Sequence, residues 1–373
     1  MTIQKRSLKV EKLARIYDDE IAPVWGSRFG KMILRNLRVP DRGQVLDISC
    51  GTGWPTVEIL RRMGDGARLI AIDASSAMLD VARKKVAALG PLGKKGVYFR
   101  TESPLPRLSF ADDVYDLVVC NLGLDEMPSV EDALQDFARV CKVGGEVRCT
   151  MPIAGTFQEF YDIYREVLVK HDKHEALDRL DEHLARHPTL DQLDAWIKAA
   201  GLRGGVDVEE FSLLFKSSRE FFFAPVIEYG PLAAWKAIAG TGQELQDVFW
   251  YIKEAIDAYF GGRAFQVTIK AALLVGEKRD PAAEESDEIV TGRVELLEPA
   301  QAEPLPPPPG QMAAGSVRTT NELEILEVEE VDLGDDFVQV FDDVPLDAFV
   351  DGKERPAHLS TSGRRDDDDD LDG

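Results

Sequence analysis

The sequence predicts an α/β fold built on a doubly wound, mostly parallel sheet, and three observations carry that expectation. Val45–Ile48 is a short apolar run, bearing Asp47, that breaks at once into a small-residue loop with Gly51 and Gly53. Thr56 to Met63 then has a helical pattern, which completes a strand, turn and helix unit. Leu69–Ile72 is a second buried strand, closed by Asp73 about 20 residues beyond the loop, where a doubly wound sheet carries a ribose-binding acid.

Each element has a chemical reading beside a structural one. Gly51 and Gly53 remove Cβ atoms where the backbone turns tightly, and the next helix points its first free N–H groups into the same space. A ligand with polar groups fits there, although a tight turn alone leaves the same trace. Asp73 offers its carboxylate either to a pair of ribose hydroxyls or to a helix N-terminus. Ser75 or Ser76 caps the following helix, whose Met78, Leu79, Val81, Ala82 and Val86 form a packing face.

Together these residues resemble the class I S-adenosylmethionine (SAM)-dependent methyltransferases that act on small molecules, quinones and carrier-bound acyl groups. In that family the first strand ends in an acid and a loop patterned x-Gly-x-Gly-x-Gly follows. Here the stretch reads Asp47-Ile48-Ser49-Cys50-Gly51-Thr52-Gly53, with Ser49 replacing the first glycine. Val114 to Met127 is similar to the family's fourth strand with its cofactor-facing loop, and Asp132 to Pro152 to the next helix, a Gly144-Gly145 turn and the fifth strand. The resemblance spans residues 10 to 278 and implies seven strands with flanking helices, the last two an antiparallel pair. It further implies SAM as cofactor and a small-molecule or carrier-bound methyl acceptor. By that resemblance Asp47 lies near the cofactor's amino group, Gly51 and Gly53 line its methionine, Asp73 holds the ribose and Met78 packs on the adenine. Ser49, Cys50, Thr52, Ala74, Glu102, Ser103, Asn121 and Leu122 complete the implied cofactor set.

Two departures bear on the site. Relatives carry an Asp after the third strand for the adenine amino group, whereas "FRTESPLPRLSF" offers Glu102, or the backbone near Ser103. Asp125-Glu126 stand where relatives often show a His pair. The transfer that the resemblance implies would be an in-line attack on a sulfonium methyl, governed by alignment and desolvation. A general base is required only for an acceptor that starts protonated, and Tyr17, Asp125 and Glu126 are the candidates. Tyr17 and Trp25 belong to an N-terminal segment similar to the family's helical cap, where they either touch the methionine or substrate or anchor the cap to the core.

The domain reading is a methyltransferase domain over residues 1–279, with a helical cap over 1–43 and lid insertions over 155–200 and 217–260, followed by an acidic tail over 280–373. In the second insertion Phe221, Phe222, Phe223, Tyr229 and Trp235 either line a substrate chamber or pack a core. His171, His174, His183 and His187 share helix spacing but sit in a densely charged stretch, which reads as a solvated face, and no metal site is expected. Cys50, Cys120, Cys141 and Cys149 have no metal-type spacing and read as reduced, buried thiols. With no apolar leader or membrane-length run, a cytoplasmic location without membrane insertion is expected.

The acidity belongs to the tail. Of the formal net charge of −23, residues 280–373 carry −21, from 27 acidic residues against 6 Lys and Arg, which leaves −2 for the rest. Such a segment cannot bury enough apolar surface to offset its chain entropy, so disorder is expected. Asn321 to Gly352 interleaves carboxylates with apolar residues, including Phe337, Phe341 and Phe349, a pattern that suits docking on a protein partner as a short helix or an added strand. Nucleic acid is disfavoured by charge. A non-catalytic methyltransferase-fold scaffold working through this tail is the competing reading.

Overall fold

Strands buried on both faces need continuous apolar runs, and β1 (Arg42–Ile48), β2 (Gly66–Asp73) and β4 (Tyr115–Asn121) supply them. In the computed structural model, which describes residues 2–94, 96–280 and 324–325, these strands pair in parallel, with Val45 opposite both Leu69 and Leu117. β3 (Gly96–Thr101) adds beyond β2, and β5 (Cys141–Pro152) beyond β4. After β6 (Leu202–Phe215), the chain enters β7 (Phe265–Lys278), which lies between β5 and β6 and runs antiparallel to β5. The order β3-β2-β1-β4-β5-β7-β6 is the doubly wound, mostly parallel seven-stranded sheet that the sequence predicts. A two-residue strand, β8 (Glu324–Ile325), pairs in parallel with Leu213–Leu214 of β6. Apart from it, the tail beyond Asp280, and with it the proposed partner segment, lies outside the described residues.

The chain turns in opposite directions from the adjacent strands β1 and β4, and a crevice opens outside the carboxyl ends of strands at such a switch point. The helices that flank it are cut to length by local chemistry. α3 (Trp54–Arg62) starts with Pro55 in its first turn. Ser75 caps α4 (Ser76–Ala88) by accepting from Met78 N, which settles the choice between Ser75 and Ser76. Ser129 caps α5 (Val130–Val140) in the same way. Ahead of the sheet, α1 (Thr2–Ile16) runs into a ten-residue π-helix, Tyr17–Gly26, containing Pro23, and then into α2 (Ser27–Leu34).

Two compact units divide the chain. The first comprises Met1–Thr156, Ala185–Ser212 and the described residues from Thr268. Its apolar cluster joins Leu46, Ile48, Val118, Phe137 and Val147 to Leu193 and Ile197 of α8 (Leu190–Ala199). The second comprises Phe157–Leu184 and Leu213–Val267, with β8. There α6 (Gln158–Lys170), α7 (His174–Leu184), α9 (Ser218–Phe223), α10 (Pro225–Glu228), α11 (Leu232–Ala239) and α12 (Gly242–Phe260) enclose an aromatic core. Phe160 stacks on Trp235 at 4.0 Å and Phe221 lies 5.0 Å from Phe265, all buried. Of the two roles open to Phe221, Phe222 and Trp235, core packing is the one they fill.

The histidines need a correction. His183 Nε2 lies 2.9 Å from the Tyr161 hydroxyl, which also accepts from Trp235 Nε1 at 3.0 Å, and His171 stacks on Tyr251 at 3.5 Å. These two rings help to close the aromatic core rather than decorate a solvated face. Aromatic residues contributed by distant segments, invisible to helix spacing, account for the difference.

Candidate cofactor and methyl-transfer site

Three residues in left-handed conformation shape the loop after β1: Ser49 (φ 52°), Gly51 (φ 54°) and Gly53 (φ 83°). A Cβ on Gly53 would lie 2.8 Å from the Ala82 Cβ, so glycine is required there. A Cβ on Gly51 would meet only Tyr17 Cε1, at 3.7 Å, so the space beside it is open to a ligand. Ser49 is the loop's departure from the glycine pattern, and Gly123 makes room for it: a Cβ on Gly123 would come within 2.5 Å of the Ser49 Cβ. The glycine missing from one side of the contact is present on the other.

Two acids bracket this loop. Asp73, at the end of β2, accepts from Gly51 N through Oδ2 and from Ser75 N through Oδ1, both at 2.8 Å. Each carboxylate oxygen keeps lone-pair capacity for a further donor. Asp47 is fully buried in β1; its Oδ2 accepts from Thr56 Oγ1 at 2.5 Å, while Oδ1 has no partner. Burial, with Asp73 nearby, pushes the Asp47 carboxyl up to about 7 against the pull of Thr56. Its charged neighbour is therefore another acid. Thr52 Oγ1, on the loop itself, is also buried without a partner.

The opposite wall comes from the π-helix. Tyr17, Ala22 and Gly26 line a small pocket with Ser49, Cys50, Gly51, Thr52, Trp54, Pro55 and Asn121. Burial and then the acids Glu126, Asp73, Asp18 and Asp125 push the Tyr17 hydroxyl up to about 12. Lys85 neutralises Asp18 in an ion pair. Asp125 and Glu126 reach solvent, yet protein atoms crowd them: partial burial and the charge of Glu126 hold Asp125 at about 6, and burial followed by Asp73 raises Glu126. The recess is thus anionic, which favours a cationic ligand.

Of the expected residues, Tyr17, Ser49, Cys50, Gly51, Thr52 and Asn121 line one pocket; Gly53 closes the same loop, Asp73 accepts from Gly51 N, and Asp47 is buried with Asp73 as a charged neighbour. Leu122, strained at φ 60°, follows Asn121 on the β4 loop. Ala74 is exposed and Met78 half-buried at the start of α4, both on the segment that Asp73 begins. Glu102 turns elsewhere. Its carboxylate pairs with Arg100 and accepts from Ser109 N at 3.2 Å, and only its backbone N–H reaches Asp73, at the carbonyl, 2.9 Å away. Ser103 is exposed, its hydroxyl accepting from Leu105 N. Trp25 packs on Phe29 and Phe211, which gives it the anchoring role. All four cysteines are buried as free thiols, and burial pushes the Cys50 thiol well up. Sequence reasoning missed Thr56, for which the i+9 spacing from Asp47 was the available signal.

Residues 13–213 match the ubiE/COQ5 methyltransferase family. The chain belongs to this family. Among curated relatives, the ubiquinone/menaquinone biosynthesis C-methyltransferase UbiE of Enterobacter sp. (strain 638) is 32% identical over 182 residues, 46% of this chain and 70% of the relative. The demethylmenaquinone methyltransferase of Staphylococcus carnosus (strain TM300) is 25% identical over 218 residues, 56% and 86% of the two chains. Among solved structures, the YcgJ protein of Bacillus subtilis aligns with TM-score 0.44 at 19% identity, over 68% of this chain and 99% of that one. As a ubiE/COQ5-family member, the protein is a SAM-dependent methyltransferase that transfers a methyl group to a small-molecule acceptor. Among the described residues no helix is long and apolar enough to cross a membrane.

Proposed function

We propose that this methyltransferase alkylates a quinone-type ring, the substrate class named for its relatives, and that the loop after β1, Asp47, Asp73 and Asn121 hold its cofactor. One observation carries the site: Asp47 Oδ1 is buried without a partner beside a second acid. A buried acceptor without a donor is costly unless a ligand supplies one, and the amino group of SAM is such a donor. SAM supplies a methyl group on a sulfonium, an excellent leaving group. Asp47 pairs with its ammonium, Asp73 accepts from the ribose hydroxyls, and Gly51, with no side chain, lets the methionine portion lie against the backbone. Tyr17, with its hydroxyl raised to about 12, stays protonated and donates rather than removes a proton. Asp125, at about 6, is ionised at neutral pH and takes the proton that the ring sheds as its new C–C bond forms. Glu102, whose carboxylate pairs with Arg100 and accepts from Ser109 N, is not assigned to the cofactor in this reading.

The test is methyl transfer from labelled SAM to a demethylated naphthoquinol, with a primary amine and a carrier-bound acyl group as competing acceptors. Label on the quinol ring carbon is expected. Label on either competitor with none on the quinol overturns the acceptor assignment.

A further inference from the structure

One face of β5 is polar although it is buried. Val147, Cys149 and Met151 join the apolar cluster with α5 and α8, whereas Glu146, Arg148 and Thr150 alternate to the other face, where α2 packs. Arg148 pairs through Nε with Glu146, and its Nη1 donates to the carbonyls of Ile33 and Arg35, each at 2.7 Å, where α2 ends. Thr150 Oγ1 donates to Asn121 Oδ1 at 2.8 Å. That bond fixes the amide's orientation, so that Asn121 Nδ2 donates to the carbonyl of Gly26, 3.1 Å away, where α2 begins. Two clamps, Arg148 directly and Thr150 through Asn121 of β4, therefore grip the two ends of one helix.

Apolar side chains would pack under α2 without the desolvation penalty of a buried arginine and hydroxyl. What they would not do is fix the helix along its own axis, because apolar contact is non-directional and hydrogen bonds are not. The axial position matters because Tyr17, Ala22 and Gly26, which lead into α2, form the pocket wall opposite the glycine loop. We propose that Arg148 and Thr150 are positioning residues, which hold the Tyr17–Gly26 wall at the separation from the Ser49–Thr52 loop that SAM requires. This rests on the cofactor site argued above.

Thr150→Val keeps the side chain's shape and removes the hydroxyl. It is expected to raise the KM for SAM about tenfold while kcat at saturating SAM stays within about twofold, and Thr150→Ser, which keeps the hydroxyl, is expected to show the wild-type KM. Arg148→Lys keeps a charge beside Glu146 without the grip on two carbonyls, and should shift KM in the same direction. In the unmodified protein, SAM is expected to slow backbone amide exchange across residues 17–34 as well as 49–53. A wild-type KM in both variants overturns the proposal, as does a loss confined to kcat or to thermal stability. Should both variants fail to fold, exchange over residues 17–34 that SAM leaves unchanged overturns it alone, and slowing there sustains it. Asp73→Ala separates the two readings: if it leaves SAM affinity intact the cofactor site itself is wrong, and if it weakens SAM while Thr150→Val and Arg148→Lys do not raise KM, only the positioning role is.

Discussion

The backbone N–H of Gly51 donates to Asp73 Oδ2 at 2.8 Å, so the loop after β1 and the acid that ends β2 hold each other in place. At the proposed site Asp73 would serve the cofactor twice, through its own oxygens and through the loop that it anchors. Asp73→Ala is expected to weaken SAM by at least about a hundredfold in calorimetric titration, since bonds to a charged acceptor contribute about 1.5–3 kcal/mol each. Glu102→Gln is the contrast: its partner is an exposed arginine, so affinity should stay within about twofold. Equal losses in the two variants would contradict this geometry.

Asp47 sets stability against binding. Its carboxyl stands at about 7 in the folded chain against 3.8 ordinarily. Stability associated with its protonated form is fully present below the ordinary value and is lost as pH rises through about 7, because the unfolded chain releases the proton first. Asp47→Asn should accordingly raise the Tm of the free protein at pH 8 but not at pH 4, while weakening SAM about tenfold or more. In the unmodified protein SAM affinity should fall as pH drops below about 7, where protonation removes the ammonium's partner. A flat affinity from pH 6 to 8 speaks against Asp47 as that partner.

Asp125 is expected to govern the pH dependence of turnover. With its carboxyl at about 6, kcat should rise through that pH and level off above it. Asp125→Asn should lower kcat by about 10²–10⁴ and erase that limb, with SAM affinity little altered. Tyr17→Phe should keep the limb, because a hydroxyl at about 12 does not titrate there. Persistence of the limb in Asp125→Asn would transfer the role to Glu126.

A chain ending at Arg279 is expected to retain its thermal unfolding and its SAM affinity, since it keeps every residue of the pocket and all seven long strands. In pull-downs the full chain with Phe337, Phe341 and Phe349 changed to Ser should lose any partner bound through the tail, because apolar anchors supply affinity while carboxylates steer the encounter. Unfolding on truncation would instead make the tail part of the domain.

The strand, loop and helix around Asp47 were legible because periodicity and glycine specify them within a few turns of chain, Asp73 because it closes the next apolar run about 20 residues on, and the cap only to the pair Ser75 or Ser76. What joins separated segments was not. "EVRCTMP" alternates polar and apolar residues as a half-exposed strand does, and only the return of α2 over its polar face buries Arg148 and Thr150. Ser49 departs from the glycine pattern, and the space it needs comes from Gly123, more than seventy residues on. Glu102 has the residue type for an adenine contact, and its ion pair with Arg100, two positions earlier, is a tertiary detail that residue type does not announce.

β5 answers to two neighbours in alternation, one position to the apolar cluster and the next to α2. A saturation library across residues 146–151 should sort by parity. Changes at Val147, Cys149 and Met151 would show in yield and melting, whereas changes at Arg148 and Thr150 would show in how much cofactor an assay needs to reach full rate. An engineer seeking a hardier protein has the odd positions to work with and good reason to leave the even ones alone.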